Sequence, residues 1–142
     1  MANPGEADQP LFMSEEHVRI MNDRLAKSDE VKNACAALPR DVLLAFRLVN
    51  EDTGAVHWWQ MSFKQQGGVD FALGEPEGNA DLLFESGYWA MLANTAAQRA
   101  GEPLPEPQPQ MTGDVSVMQL ISTAFLATQR AAAVPVRMPP RK

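Results

Sequence analysis

Between Ser14 and Pro39, apolar residues recur every three or four positions, as they do along one face of an α-helix. Ser14 and Ser28 each stand just before such a run and are followed by acidic residues, which is the usual composition of a helix N-terminus. Pro39 ends the second run. The pattern therefore predicts two N-terminal helices, over residues 15–27 and 29–38.

Over the middle of the chain the apolar positions form continuous or alternating runs, which is typical of β-strands. Two turn sequences, residues 51–54 and 65–68, separate the first three runs by distances that suit hairpins. We therefore expect three hairpin-linked strands followed by a neighbour, in an antiparallel meander. The four predicted strands span residues 42–49, 56–64, 69–73 and 80–85.

Helical spacing returns in the second half of the chain, where residues 87–100 are predicted as a helix that Gly101 ends. Prolines at every second position then make residues 102–110 stiff and extended, so this segment cannot be a central strand. Residues 111–114 are predicted as a short fifth strand and residues 115–131 as the last helix. The predicted fold class is α+β with a mainly antiparallel sheet.

The 142 residues suffice for one domain with one hydrophobic core, which we place over residues 13–135. Residues 1–12 are polar, contain a turn-forming Asn-Pro-Gly sequence and are predicted to be a disordered N-terminal tail. Residues 136–142, with two consecutive prolines and a basic end, are predicted to be a C-terminal tail.

The net charge of -6 and the pI near 4.8 argue against binding to nucleic acid or to an anionic membrane surface. A single cysteine cannot form a disulfide within the chain, and a cytoplasmic location is expected. The chain lacks an apolar run of about 18 residues, so no stable membrane insertion is expected. Its N-terminus is acidic and resembles no secretion signal.

The residues that commonly carry catalysis are scattered along the chain. His17 is expected on a helix surface, His57 lies in a strand far from it, and Cys35 lies on an apolar helix face without an adjacent base. Asp81 and Glu85 bracket one strand and are expected to be solvated. None of these spacings suits a metal. We therefore expect no enzymatic activity, no metal and no cofactor.

The aromatic and methionine residues are the more informative group. Trp58 and Trp59 are consecutive in a strand and must face opposite sides of the sheet. One of them should meet the helices, and the other needs cover from the N-terminal helices or from a partner chain. The space between the sheet and the helices can thus be completely filled by side chains, or it can contain a tunnel whose walls include flexible methionine side chains. The pattern alone does not choose between the two.

Three segments resemble the sterol carrier protein type-2, or non-specific lipid-transfer, domains. Residues 59–64 resemble the second strand of that family, and residues 80–84 resemble its "ADVTI" strand. Gly113-Asp114, followed by Val117-Met118-Gln119-Leu120, resembles its "GD" turn and the start of its last helix. The resemblance covers residues 40–133.

This resemblance implies a curved five-stranded sheet covered by helices, with a hydrophobic tunnel between them that holds a fatty acyl chain, an acyl-CoA or a sterol. The chain departs from the family where residues 105–110 replace a basic strand and remove the lysines that would meet a CoA phosphate. Four polar residues are candidates for the tunnel mouth: Arg47, His57, Asp114 and Gln119. The implied tunnel wall consists of Phe46, Trp59, Met61, Phe71, Leu82, Phe84, Met91, Leu92, Leu120, Ile121 and Phe125.

Three functions remain open at this point. The favoured hypothesis is an intracellular lipid-binding or lipid-transfer protein whose partner is a hydrophobic small molecule. The second is an interaction module with a filled core, which forms a homodimer through the Trp58 face or assists a lipid-modifying enzyme. The third is a small isomerase or cyclase, which would need an acid or base inside its pocket.

Overall fold

A computed structural model describes residues 9–141. Residues 1–8, most of the predicted disordered tail, and Lys142 lie outside the described part. The fold is α+β, as predicted, with two N-terminal helices, a five-stranded open sheet and C-terminal helices. The helices are α1 (Glu15–Ala26), α2 (Asp29–Ala36), α3 (Tyr88–Arg99), α4 (Val117–Leu120) and α5 (Ser122–Ala131), and the strands are β1 (Val42–Val49), β2 (Val56–Lys64), β3 (Gly68–Leu73), β4 (Leu82–Gly87) and β5 (Gln110–Gly113).

The first two helices begin where their caps predict. The Ser14 hydroxyl accepts a hydrogen bond from the His17 N–H, and the Ser28 hydroxyl accepts one from the Val31 N–H. The predicted last helix, in contrast, is divided at Ile121 into α4 and α5. A hydrogen bond from the Phe125 N–H to the Ile121 carbonyl, 2.7 Å long, links the two pieces.

The strand order of the sheet is β3-β2-β1-β4-β5. β1, β2 and β3 form the expected antiparallel meander. The prediction that β4 continues the meander is wrong, because β4 returns to the other side of β1 and runs parallel to it. The intervening hairpin strands serve as the long crossover that a parallel pair requires. Asp81 fixes the start of β4, since its N–H donates to the Leu43 carbonyl at 2.9 Å and its carboxylate accepts the Leu43 N–H at 2.7 Å.

The short fifth strand is present at the edge of the sheet, as predicted. β5 begins and ends one residue earlier than the predicted range of 111–114. It follows the proline-rich segment, which suits an edge position. Gly113 ends the strand with φ of 119°, a conformation that favours glycine, and a Cβ there would overlap with the Asp81 carbonyl oxygen. The next N–H, that of Asp114, donates to the same carbonyl at 2.9 Å. The Gly-Asp sequence therefore joins β5 to the start of β4.

The hydrophobic core lies between the helices and one face of the sheet, which we call the inner face. Strand residues that alternate onto this face, such as Leu44, Phe63 and Leu82, are fully buried. Cys35 of α2 is also fully buried in this core, as expected. Trp59 lies on the inner face and is 8% exposed, whereas Trp58 lies on the outer face and is only partly buried.

The two segments predicted as tails are in contact where the structure describes them. The Phe12 N–H donates to the Arg137 carbonyl and the Arg137 N–H donates to the Pro10 carbonyl, each at 2.9 Å. Arg141 forms a bidentate ion pair with Asp52. Residues 9–12 thereby lie against the domain. In the described residues, no helix has both the length and the apolar character needed to cross a membrane.

Candidate functional site

A cavity of about 490 Å³ lies between the inner face of the sheet and helices α1, α3 and α5. This volume falls within the range of roughly 300–1,000 Å³ that is typical of small-molecule pockets. The cavity is bordered mainly by aromatic, methionine and alanine side chains. The residues around it are Phe12, Met13, Met21, Phe46, Trp59, Gln60, Met61, Phe71, Met91, Thr95, Gln98, Arg99, Phe125, Thr128, Gln129, Ala132 and Ala133.

The register of the strands creates the sheet side of this cavity. Phe46 of β1 is paired with Trp59 of β2, and Met61 of β2 is paired with Phe71 of β3. Directly paired residues point to the same face, so these four side chains form one apolar surface. Phe12 packs edge-on against Trp59, with 5.5 Å between the ring centroids, and closes one side of the surface.

The structure brings six of the residues implied by the resemblance to this cavity. The strands supply four of them and the helices supply two. The six are Phe46, Trp59, Met61, Phe71, Met91 and Phe125.

The other five residues of the implied wall lie elsewhere. Leu82 and Ile121 are fully buried in the core, and Leu92 packs in a cluster with Trp59. Phe84 stacks on Phe46 with 4.7 Å between ring centroids, one layer outside the cavity. Leu120 is 40% exposed. It lies in the short α4, just before the break at Ile121.

None of the four candidate mouth residues borders the cavity. Arg47 follows Phe46 in β1 and therefore faces the outer side of the sheet, where it pairs with Glu85 at 3.7 Å. His57 packs against Tyr88, with 4.2 Å between ring centroids. Asp114 and Gln119 are exposed near the edge strand. Hydrogen bonds from Ser116 hold the pKa of Asp114 below its usual value.

The ionisable side chain that does border the cavity is Arg99, the last residue of α3, which the sequence analysis did not select. Its guanidinium carbon lies 5.6 Å from the centroid of the Phe12 ring, and its Nη1 donates to the Val134 carbonyl at 3.3 Å. Partial burial lowers the pKa of Arg99. The helical spacing of Met91, Thr95 and Arg99 along α3 was the signal that could have identified it.

His17 was expected on a helix surface, and this expectation is wrong, because the side chain is fully buried beside Phe12. Its Nδ1 accepts a hydrogen bond from the Met13 N–H at 2.9 Å, so the neutral ring carries its proton on Nε2. Nε2 has no hydrogen-bond partner among the described residues. Burial, and to a lesser degree the charge of Arg99, lower the pKa of His17 to about 4.

A second groove, of about 570 Å³, lies on the outer side of the sheet beside α3 and the proline-rich segment. Its charged residues already have partners within the protein. Arg47 pairs with Glu85. Glu51 caps α3 by accepting the backbone N–H groups of Trp89 at 2.9 Å and Ala90 at 3.1 Å. This groove is more open than the cavity on the inner face, and charged and amide side chains make up a larger share of the residues around it.

The residues considered for catalysis have structural partners. Asp81 bonds to the β1 backbone and forms an ion pair with Arg40 at 2.8 Å. Within residues 9–141, no group of three or more His, Cys, Asp and Glu side chains is arranged to hold a metal ion. The chemistry of the cavity is therefore that of apolar contact, with one cation at its border.

Solved structures show the same arrangement of elements. A conserved hypothetical protein of Thermus thermophilus, suggested to be a sterol carrier protein, superposes with a TM-score of 0.57 at 14% identity, over 85% of this chain and 87% of that chain. A crystal structure of sterol carrier protein 2 superposes with a TM-score of 0.53 at 14% identity, over 87% of this chain and 99% of that chain. This chain has the sterol carrier protein 2 fold.

The sterol carrier protein 2 fold is the one implied by the resemblance of residues 40–133, so that prediction of the fold is confirmed. A scan against protein-family models finds no match, and a search of the curated proteins finds none either.

Proposed function

We propose that the protein binds a hydrophobic small molecule in the cavity on the inner face of the sheet and acts as an intracellular lipid-binding or lipid-transfer protein. The observation that supports this proposal is the cavity itself, about 490 Å³ of space bordered mostly by aromatic and methionine side chains. The fold is shared with proteins named sterol carrier proteins, which gives the proposal its ligand class.

Apolar burial supplies the affinity in this proposal. Each methylene group of a ligand that leaves water gains about 0.8 kcal/mol, so an acyl chain can bind without any reaction or metal. Met21, Met61 and Met91 border the cavity and have flexible, polarisable side chains that adapt to different ligand shapes. Discrimination between neighbouring chain lengths should then be weak.

The first experiment is native mass spectrometry of the purified protein, followed by extraction and identification of any lipid that co-purifies. Binding of hexadecanoate, hexadecanol, hexadecanoyl-CoA and cholesterol is then measured by calorimetry. We expect Met91→Trp, which fills the cavity from α3, to weaken binding by about tenfold or more. The matched control is Met111→Trp on the edge strand, where the native side chain is 52% exposed, and it should bind as the parent protein does.

A protein that is empty and ignores all four ligands would contradict the proposal. If that empty protein were also a tight dimer, the interaction module with a filled core would become the better explanation.

A further inference from the structure

The distribution of charge around the cavity is opposite to that of the whole protein. The chain carries 18 acidic and 12 basic residues, yet the ionisable residue that borders the cavity is a cation, Arg99. No carboxylate among the described residues lies within ion-pair distance of its guanidinium. Within residues 9–141, Arg99 therefore has no carboxylate partner that would compete with a bound anion.

Four other arginines, Arg40, Arg47, Arg130 and Arg141, each form an ion pair with an aspartate or a glutamate, whereas Arg19, Arg24 and Arg137 form none among the described residues. Arg99 lies in the last turn of α3, where a cation stabilises the helix dipole. The dipole accounts for a basic residue at this position of the sequence. It does not account for a guanidinium that lies over the Phe12 ring at the border of an apolar cavity.

The donors of Arg99 are largely unused. A guanidinium has five N–H donors in a planar fork that matches a carboxylate or a phosphate. One hydrogen bond of this group, from Nη1 to the Val134 carbonyl, is present in the described residues. The remaining N–H groups can bind an anion in bidentate fashion.

Most of the polar residues around the cavity lie in the C-terminal turns of two helices. Thr95, Gln98 and Arg99 lie in the last two turns of α3, and Thr128 and Gln129 lie near the end of α5. The two threonine hydroxyls donate to carbonyls of their own helices. The strand side, in contrast, is apolar apart from Gln60. The cavity thus has an apolar side and a polar, cationic side, which is the polarity of an amphiphile.

We propose that the ligand is an amphiphile with an anionic head group, a carboxylate or a phosphate, which Arg99 binds while the chain lies along Phe46, Trp59 and Phe71. This inference rests on the proposed function, because it assumes that the cavity binds a lipid. It adds a specificity-determining residue and a head-group class to that proposal.

The test compares three ligands with the same chain and different heads, namely hexadecanoate, hexadecyl phosphate and hexadecanol. Calorimetry measures their binding to the parent protein, to Arg99→Gln and to Arg99→Lys. We expect the better of the two anions to bind about tenfold more tightly than the alcohol, as a charge-assisted hydrogen bond at a partly exposed site would give. Arg99→Gln should remove this advantage, and Arg99→Lys should restore part of it.

Two controls keep the result interpretable. Arg19→Gln makes the same change in net charge at an exposed position of α1 outside the cavity, and it should leave the preference for anions unchanged. Hexadecanol binding reports the integrity of the cavity, so it should be equal in the parent protein and in Arg99→Gln. The comparison between hexadecanoate and hexadecyl phosphate identifies which anion the site prefers.

Equal binding of all three ligands, unchanged in Arg99→Gln, would overturn this inference and leave the proposed function intact. Failure of all three ligands to bind the parent protein would overturn both. An anion preference that Arg19→Gln removes as fully as Arg99→Gln would also overturn the inference, because it would reflect net charge instead of a specific contact.

Discussion

Mild acid should destabilise this protein through one buried side chain, that of His17. Burial lowers the pKa of the folded ring from 6.5 to about 4 and keeps it neutral. The unfolded chain binds a proton at this residue below about pH 6.5, whereas the folded protein does not until about pH 4. The stability that the folded protein has while His17 is neutral is therefore fully present above the unfolded pKa of 6.5. It is lost as the pH falls from about 6.5 to about 4.

The magnitude follows from the two pKa values. Each unit of pKa difference corresponds to about 1.4 kcal/mol, so the full effect is about 3 kcal/mol. Between about pH 7.5 and about pH 5, the free energy of unfolding should fall by about 2 kcal/mol. This is a considerable part of the roughly 5–15 kcal/mol that stabilises a typical domain. The window also lies above the range in which most carboxylates titrate.

Urea unfolding at the two pH values measures this loss directly. The test variant is His17→Asn, whose amide oxygen can still accept the Met13 N–H but which does not titrate. Its free energy of unfolding should change little between the two pH values, whatever its absolute value. The matched control His57→Gln removes the other histidine and retains His17, so the loss of stability that His17 causes should remain. If the parent protein and His17→Asn lost the same stability, the argument from burial would be refuted.

Two further variants test local features of the fold. Gly113→Ala should lower the free energy of unfolding by about 2 kcal/mol or more, because the residue has φ of 119° and its Cβ would overlap with the Asp81 carbonyl. The control is Gly74→Ala, since Gly74 also has a positive φ, of 101°, but lies in open space, and this variant should lose clearly less stability. Equal losses in the two variants would contradict the role of the overlap. Asn94→Leu should release the proline-rich segment, since the buried Asn94 amide makes three hydrogen bonds to the backbone of Glu106 and Pro107. We expect a loss of about 2 kcal/mol and new proteolytic cleavage within residues 102–109, and an unchanged cleavage pattern would show that the segment is held by other contacts.

Most elements could be predicted because their signals are local. Ser14 and Ser28 cap the first two helices from adjacent positions, and the apolar runs of β1 and β2 end at turn-forming residues. The place of β4 beside β1 could not be predicted, because it depends on a contact between Asp81 and Leu43, which are far apart in the sequence. Alternation within a strand says which residues share a face, but it does not say which strands are neighbours.

The cavity was predictable in part. The family resemblance implied Phe46 and Trp59, which the strand register pairs, and also Met91 and Phe125 from the helices. Arg47, the neighbour of Phe46 in sequence, was a candidate for the same region, although alternation along β1 turns it to the other side of the sheet. Arg99 was not selected because the helix dipole already accounts for a basic residue in the last turn of a helix. Phe12 was overlooked because its polar, proline-containing surroundings predicted disorder.

The contact between the two ends of the described chain also bears on the order of events in folding and in ligand exchange. Arg137 bonds to the Gln9 carbonyl across 128 residues, so this contact forms readily only after the rest of the domain has brought the two ends together. We therefore expect the part of the cavity border that holds Phe12 to form last and to open first, while the sheet stays paired. Amide hydrogen exchange at Phe12 and Arg137, compared with β1, tests this, and equal protection would contradict it. A ligand would then come and go through a local opening, without the cost of unfolding the domain.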